Sequence, residues 1–215
     1  MYDTIILGAT FAAAGIAQEC KGSCLVIEQR AQAGWEFTGA LLPASNESAL
    51  YRCFEICDIL FCAQVVSLEK TDAGFACTTH GVNGFRTHEA KQIIDTRCNE
   101  AMCLSKTYNL LIESAEKPDN LQTPHTAQNR ENTYLLHCPV PLSCGYAQAR
   151  QIAAKIIRQF SENQRLILSA NSFDYRVKAG YPKTENGILY LPSKAYKSPA
   201  LAFDAGTSIG KEASE

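Results

Sequence analysis

The sequence lacks any apolar run near the roughly 20 residues that a helix needs to cross a bilayer. It also lacks a charge excess: 20 Lys and Arg against 22 Asp and Glu give a formal net charge of -2. That balance offers no electrostatic basis for binding nucleic acid or an anionic membrane surface. Met1 and Tyr2 lead straight into an apolar segment without a basic leader, unlike a secretory signal. We therefore expect a cytoplasmic protein with neither nucleic acid nor membrane as a partner.

No Cys-x-x-Cys pair occurs among the ten cysteines, so dithiol reductase chemistry of the thioredoxin kind is not indicated. Many of the cysteines lie in apolar or periodic segments, as small buried hydrophobic residues do, and a chain of this length does not need disulfides. We expect reduced, structural cysteines and no metal. One alternative stays open: Cys53, Cys57 and Cys62 could hold zinc or an iron–sulfur cluster, although their spacing matches no standard ligand set.

The N-terminal residues follow the pattern of one β-α-β unit. Residues 3–8 predict a buried strand, Phe11–Glu19 an apolar helix and Ser23–Glu28 a second strand. Such a unit places the turn between the first strand and the helix where a dinucleotide pyrophosphate can meet the helix N-terminus.

The remaining pattern predicts strands and helices without internal repeats. In chain order these are a helix over Asn46–Leu60, an antiparallel meander of Phe61–Lys70, Gly74–His80 and Gly84–Glu89, a short strand Lys91–Asp95, a strand over 107–113, an exposed excursion over 116–132, a strand Tyr134–Val140, a helix Tyr146–Phe160, strands Arg165–Ala170 and Gly187–Leu191, and a short final helix that opens at Asp204.

The turn after the first strand carries a partial dinucleotide fingerprint. Gly8 supplies the first glycine of G-x-G-x-x-G, whereas Thr10 and Ala13 stand at the second and third. Alanine is accepted at the third position, but a β-branched Thr10 crowds the approach of a phosphate. Glu28 lies at the end of the second strand, about 20 residues past the first glycine, where an acid accepts hydrogen bonds from the adenosine ribose. A nucleotide-free α/β domain with small residues for close packing is the competing interpretation. The Thr10 hydroxyl either obstructs the phosphate or donates to it.

Four segments in order resemble FAD-dependent oxidoreductases of the glutathione-reductase-like superfamily: the loop 29–41 after Glu28, the strand Val65–Glu69, the segment Lys91–Glu100 and the terminal Ala202–Gly206. The third segment keeps Asp95 of the family's Asp-Ala-Thr-Gly-Asp pattern but has Arg97 and Cys98 later in it. The fourth has Phe203 instead of the glycine that precedes the acid in the family, here Asp204.

The resemblance implies an α/β, Rossmann-like FAD/NAD(P)-binding fold with a central parallel sheet, an antiparallel β-meander and a small α+β cap. It implies an FAD-binding domain over 1–105 and 187–215 and a cap or substrate-type insertion over 106–186. FAD is the implied cofactor, and a small molecule is the implied substrate. The implied cofactor-binding residues are Gly8, Ala9, Thr10, Phe11, Ala12, Glu28, Gln29, Val66, Thr96, Asp204 and Ala205.

No catalytic constellation is evident. The four histidines are scattered (His80, His88, His125 and His137), and Cys98, Tyr190 and Tyr196 are interpreted as packing residues. We expect a small FAD-dependent oxidoreductase, or the flavin-binding subunit of one, with a protein partner or a second copy supplying the missing substrate region. The alternatives are a flavin-free relative that acts as a binding or scaffold protein, and a nicotinamide-only protein.

Overall fold

The computed structural model describes residues 1–42, 47–115, 132–160 and 162–213. The chain forms two compact units. The first comprises Met1–Trp35, Ala44–Cys98 and Lys178–Glu215, and the second comprises Glu36–Pro43 and Asn99–Val177. The domain limits predicted from the sequence, 1–105 with 187–215 and 106–186, stay a prediction.

The elements follow one another along the chain as β1 (Tyr2–Leu7), α1 (Phe11–Glu19), β2 (Cys24–Ile27), α2 (Trp35–Thr38), α3 (Glu47–Cys53), β3 (Asp58–Leu60), β4 (Gln64–Thr71), β5 (Gly74–Gly81), β6 (Gly84–Asp95), β7 (Cys103–Ser114), β8 (Thr133–Val140), α4 (Tyr146–Ile157), β9 (Gln164–Ser169), β10 (Asp174–Val177), β11 (Lys183–Glu185), β12 (Ile188–Tyr190) and α5 (Pro199–Ala213). Short 3-10 turns occupy Glu100–Met102 and Ser193–Ala195.

The first unit is built on a sheet in the order β11-β12-β6-β1-β2-β3. Strands β12, β6, β1, β2 and β3 run parallel, and β11 pairs antiparallel with β12. The parallel strands have near-continuous apolar sequences, as expected for strands covered on both faces. Ile5, Leu7, Ile27 and Ile93 are all at most 2% exposed and form the centre of this core.

The meander predicted from alternating residues is present, with β4, β5 and β6 paired antiparallel in sequence order. The structure corrects one detail. The predicted separate strand Lys91–Asp95 is the second half of β6, whose first half pairs with β5 and whose second half pairs with β1 and β12. The residues that end the meander therefore lead directly to the carboxyl edge of the parallel sheet.

The N-terminal helix α1 matches its predicted limits, Phe11–Glu19. It packs against α5 with almost no side chains between the two backbones. A Cβ added to Gly15 would lie 2.1 Å from the Phe203 carbonyl oxygen, and one added to Gly206 would lie 2.0 Å from the Ala12 carbonyl oxygen. Only glycine permits so close an approach.

The helix predicted over Asn46–Leu60 is wrong in its second half. Helix α3 ends at Cys53, and Asp58–Leu60 forms β3, which pairs in parallel with β2. Phe54 is buried as the periodicity suggested, but a three-residue strand is too short to show an alternating pattern. Asn46, and all but the last residue of the predicted excursion 116–132, lie outside the described residues.

The second unit contains an antiparallel sheet in which β7 pairs with β8, β9 and β10. Helix α4 contributes Ala149 and Ala153 to a core that also contains Tyr108, Leu110 and Ile112. The helix ends at Ile157, three residues before the predicted end.

Lys106 is buried in the second unit, with its side chain 1% exposed. Its Nζ donates to Glu100 Oε1 (2.6 Å), to the Leu142 carbonyl oxygen (2.8 Å) and to the Cys144 carbonyl oxygen (2.7 Å). It also lies 4.0 Å from the centre of the Phe173 ring. All three ammonium protons have acceptors, so this buried charge is fully paired.

The predicted fold class is confirmed: a mostly parallel central sheet carries an antiparallel meander, and the second unit combines an antiparallel sheet with a helix. None of the helices in the described part of the chain is long and apolar enough to cross a membrane.

Candidate nucleotide-binding site

The candidate site lies at the carboxyl ends of β1, β2 and β6, where the sheet order reverses. From β1 the chain proceeds to β2 and β3 on one side, while β6 lies on the other side of β1. In open α/β sheets, ligands bind at such a topological switch point, outside the carboxyl ends of the strands. The turns that follow β1, β2 and β6 contain most of the site residues predicted from the sequence.

The turn after β1 begins at Gly8, whose φ of +93° favours glycine. Its N–H donates to the Ile27 carbonyl oxygen of β2 (2.8 Å), which ties the turn to the neighbouring strand. A Cβ at Gly8 would lie 2.7 Å from Arg97 Cγ and 3.1 Å from Thr96 Oγ1. Glycine is therefore required at this first position of the fingerprint by its backbone conformation and by the space that Arg97 and Thr96 occupy after β6.

Thr10 is the N-cap of α1. Its Oγ1 accepts a hydrogen bond from the Ala13 N–H (3.1 Å) and donates to Thr96 Oγ1 (2.8 Å). Thr96 in turn donates to the Leu7 carbonyl oxygen (2.9 Å) and lies 3.1 Å from that of Gly8. Both threonines are at most 5% exposed. The proton of the Thr10 hydroxyl thus has an acceptor within the protein, which argues against the hypothesis that it donates to a phosphate.

The N-terminus of α1 faces this turn and carries no acidic residue in its first turn. The partial positive charge of the helix end is therefore not neutralised by a side chain of the helix itself. Phe11 and Ala12 are 5% and 0% exposed. They take part in packing, Phe11 beside Gly34 and Ala12 beside Gly206, so only their backbones remain as candidate ligand groups.

Glu28, at the end of β2, holds the turn from the other side. One carboxylate oxygen accepts from the Ala9 N–H (2.9 Å), and the other accepts from the Arg30 N–H (2.8 Å). Each oxygen keeps a further lone pair for a second donor. Gln29, between Glu28 and Arg30, is exposed. The acid expected to meet a ribose therefore also fixes the backbone of the turn after β1.

Asp95 and Arg97 close the site on the β6 side. The Arg97 guanidinium donates from Nε to Asp95 Oδ1 (2.9 Å) and from Nη2 to Oδ2 (2.8 Å), and the Arg97 N–H also donates to Oδ1 (3.0 Å). Burial works against the charge of Arg97, but Asp95, with smaller effects of Cys77 and Glu28, raises the pKa of the guanidinium. The stem of Arg97 lies beside Gly8, and its side chain is 42% exposed, so the guanidinium that pairs with Asp95 is also within reach of solvent.

The other predicted residues are placed differently. Val66 lies in β4 at a register shift between Val65 and Ser67, with 47% of its surface exposed. Asp204 does not open a helix as predicted: α5 begins at Pro199, and Asp204 is an exposed residue within it. Ala205 is half-buried on the same helix. Whether these residues bind a cofactor stays a prediction.

Asp204 lines an apolar cavity of about 360 Å³ in the first unit, together with Phe11, Leu50, Cys53 and Phe203. This cavity lies between α1, α3 and the start of α5. No local sequence pattern predicts this cavity, because its walls come from three segments that are distant along the chain.

Among the residues that the structure describes, the remaining candidates do not form a catalytic cluster. His137 Nδ1 lies 2.8 Å from Asn109 Oδ1, and His88 Nε2 lies 3.4 Å from Thr79 Oγ1; His125 lies outside the described residues. Burial raises the pKa values of Tyr190 and Tyr196. The ten cysteines are free thiols, and the described ranges hold no group of three His, Cys, Asp or Glu with the geometry of a metal site.

No protein-family model and no curated protein sequence matches this chain. Solved structures do match its fold. A geranylgeranyl bacteriochlorophyll reductase-like protein from Thermoplasma acidophilum has a TM-score of 0.67 at 10% identity, over 99% of this chain and 78% of that chain. An aromatic hydroxylase from angucycline biosynthesis has a TM-score of 0.65 at 12% identity, over 99% and 62%. Aklavinone-11 hydroxylase, in a ternary complex with FAD and aklavinone, has a TM-score of 0.61 at 11% identity, over 97% and 61%.

This chain shares its fold with these three proteins, the last of which was solved in complex with FAD. It spans less than two thirds of the length of the two hydroxylases. At these identities the likeness concerns the fold alone, and the residues of the site must carry any functional argument.

Proposed function

We propose that this protein binds FAD at the switch point and is a flavin-dependent oxidoreductase, or the flavin-binding subunit of one, acting on a small molecule. The observation that carries the proposal is the convergence of the Gly8 turn, the α1 N-terminus, Glu28 and Arg97 at one edge of the sheet. Membership of the glutathione-reductase-like superfamily belongs to the same proposal.

The groups at this edge suit the two chemically different parts of the adenosine diphosphate half of FAD. The backbone N–H groups at the N-terminus of α1, and the guanidinium N–H groups of Arg97 that Asp95 does not bind, are donors for a pyrophosphate. The Glu28 carboxylate is an acceptor for ribose hydroxyl groups. When bound, FAD would supply the hydride and electron transfer, and the protein would bind and orient it.

Binding is tested by titrating the purified protein with FAD, followed by flavin absorbance and thermal shift. FAD at 100 times its Kd should stabilise the fold by about 2.7 kcal/mol. A colourless protein with no shift at excess FAD would refute the proposal and leave the flavin-free binding or scaffold protein as the interpretation.

Glu28→Ala should weaken FAD about 10- to 100-fold, the loss of a charge-assisted hydrogen bond, and leave riboflavin, which has no adenosine, nearly unchanged. Because Glu28 also accepts from the Ala9 N–H, Glu28→Gln is a partial control: its single amide oxygen can accept from one of the two backbone N–H groups, and the charge is removed. An equal loss of FAD and riboflavin would mean that Glu28 acts only through the turn.

Arg97→Met should weaken FAD about 10-fold if its charge faces the pyrophosphate. The length of the side chain and much of its packing over Gly8 are kept in this variant. Tighter FAD binding by Arg97→Met would instead mean that the arginine obstructs the site.

A further inference from the structure

The apolar cavity between α1, α3 and the start of α5 has the properties of a ligand site of its own. Its volume of about 360 Å³ lies within the roughly 300–1,000 Å³ that small-molecule sites occupy. Leu50 and Phe11, which line it, are only 3% and 5% exposed and contribute a buried apolar wall. Ala49 of α3 and Ala200 of α5 also line the cavity, and their small side chains leave space between the helices. A small organic molecule would cover this apolar surface, which is favourable in water.

The polar groups of the cavity lie on its exposed side. Gln18 of α1 and Asp204 of α5 both line it, and both residues are exposed. Among the described residues that form the walls, Asp204 is the only one with a charged side chain. An ammonium group beside an exposed carboxylate keeps part of its hydration, so it avoids most of the cost of burying a charge. The walls therefore match a molecule with an apolar body and one cationic group.

The N-terminus of α5, at the same cavity, offers few donors to an anion. A helix N-terminus attracts anions mainly through its unpaired N–H groups. Helix α5 begins with Pro199, which has no N–H. Ser198 accepts from the Leu201 N–H at its Oγ (3.3 Å) and from the Ala202 N–H at its carbonyl oxygen (3.1 Å). The Asp204 carboxylate is therefore the dominant charge for a ligand in this cavity.

Cys53 provides a chemical reporter in the cavity wall. Its Sγ donates to the Ala49 carbonyl oxygen (3.3 Å), and the residue is half-buried. Burial raises the pKa of this thiol, and Arg52 opposes the shift with a smaller effect. Arg52 itself is exposed and is not among the residues that line the cavity. Alkylation of Cys53 should therefore be slow enough to follow, and a molecule in the cavity should protect it.

We propose that this cavity binds a small apolar amine, with the ammonium group beside Asp204 and the hydrocarbon body between Phe11, Leu50 and Phe203. The side chain of Phe11 takes part here, whereas only its backbone is a candidate group at the switch point. The proposal does not depend on flavin binding, because the cavity is formed by the chain alone.

The expected affinity is modest, and its dependence on charge is the informative quantity. A ligand of about ten non-hydrogen atoms binds with a Kd in the millimolar range or below. The pairing of an ammonium group with an exposed carboxylate should tighten binding about 3- to 5-fold over an alcohol of the same skeleton. A carboxylate on that skeleton should bind more weakly than the alcohol, because it meets a like charge.

The test titrates the full chain, without added FAD, with 4-phenylbutylamine, 4-phenylbutanol and 4-phenylbutyrate. Calorimetry measures the three affinities, and we expect the order amine, alcohol, carboxylate from tightest to weakest. Alkylation by iodoacetamide, mapped by mass spectrometry, locates the site. The amine at about 10 times its Kd should slow the alkylation of Cys53 about 10-fold, since about one cavity in 11 stays empty. Cys62, which is exposed and does not line the cavity, is the internal control and should react at an unchanged rate.

Three variants test the roles of the wall residues. Asp204→Asn should reduce the affinity for the amine to that for the alcohol and leave the alcohol unchanged. Glu212→Gln is the matched control, because it removes an exposed carboxylate further along α5 that does not line the cavity; the preference for the amine should persist. Ala200→Phe fills the cavity from an exposed position and should abolish binding of all three molecules.

Several outcomes would overturn the proposal: no binding, equal affinities for the three molecules, tightest binding of 4-phenylbutyrate, or unchanged binding in a folded Ala200→Phe protein. Protection of Cys53 that rises with protein concentration in the absence of ligand would also overturn it, because a second copy of the chain would then cover the cavity. A failure to bind FAD would leave each of these results readable, so the two proposals fail separately.

Discussion

Replacing Gly8 by alanine tests the arrangement of the candidate site directly. The new Cβ meets two obstacles: a backbone φ of +93°, and the side chains of Arg97 and Thr96 at 2.7 and 3.1 Å. Gly84 provides a matched control, because it has a φ of +77° but no atom within 4 Å of its added Cβ. The two variants share the backbone cost and differ in the crowding.

The backbone cost of a left-handed alanine is about 1–2 kcal/mol, partly offset by the reduced freedom of the unfolded chain. Gly84→Ala should therefore lower the free energy of unfolding by about 1 kcal/mol. At Gly8, overpacking adds about 1–3 kcal/mol, because Thr96 is 0% exposed and cannot move aside. Arg97 can swing outward only by giving up its two hydrogen bonds to Asp95. Gly8→Ala should cost about 2–4 kcal/mol in total.

Urea unfolding at constant m-value measures both costs. The double variant Gly8→Ala/Arg97→Ala removes Arg97 Cγ, so the two changes should show a favourable coupling of about 1 kcal/mol. The reasoning fails if Gly8→Ala costs no more than Gly84→Ala, or if the double variant shows no coupling. Either result would mean that Arg97 does not lie over the turn.

Three further predictions concern stability. Thr10→Val should lower the free energy of unfolding by about 1–2 kcal/mol in urea, because it deletes an N-cap and a buried hydroxyl pair, whereas Thr10→Ser should cost clearly less; equal losses would contradict the hydrogen-bond argument. The ion pair with Lys91 lowers the pKa of Asp3 to about 2, so the stabilisation that this pair provides is complete above about pH 4 and is lost as the pH falls through about 2. Asp3→Asn should therefore reduce the loss of unfolding free energy between pH 4 and pH 2, and an unchanged pH dependence would refute this. Lys106→Met should lower the free energy of unfolding by about 3 kcal/mol in thermal or urea unfolding, because two carbonyl oxygens lose a charged donor. An unchanged free energy would show that the hydrogen bonds of Lys106 do not stabilise the fold.

The sequence predicts best the elements whose signals are local. The sequence predicts helix α1 to the residue because an apolar segment follows a turn of small residues, and it predicts the three strands of the meander because turn residues separate them. The half of the predicted helix that became β3 shows the limit, because its strand character depends on pairing with β2 rather than on its own three residues.

Within the candidate site, the individual residues were predictable but their mutual contacts were not. Glu28 and Gly8 were found by spacing, yet the Glu28 bond to the Ala9 N–H depends on the registry of β1 and β2. The Thr10–Thr96 pair spans 86 positions, and no local pattern connects residues so far apart. The position of Arg97 over Gly8 likewise follows from the pairing of β1 with β6.

The direct backbone contact between α1 and α5 has a consequence for how the chain folds during synthesis. Gly15 of the first helix needs Gly206 and the Phe203 carbonyl oxygen, nearly 200 residues later, to complete its packing. At about 5–20 residues per second, the ribosome would release α5 some 10–40 s after α1 emerges. Throughout that interval the helix that starts the candidate site exposes an almost bare stripe of Ala and Gly backbone. The first unit therefore cannot complete its packing until α5 has been made, although the turn that starts the candidate site is synthesised nearly 200 residues earlier.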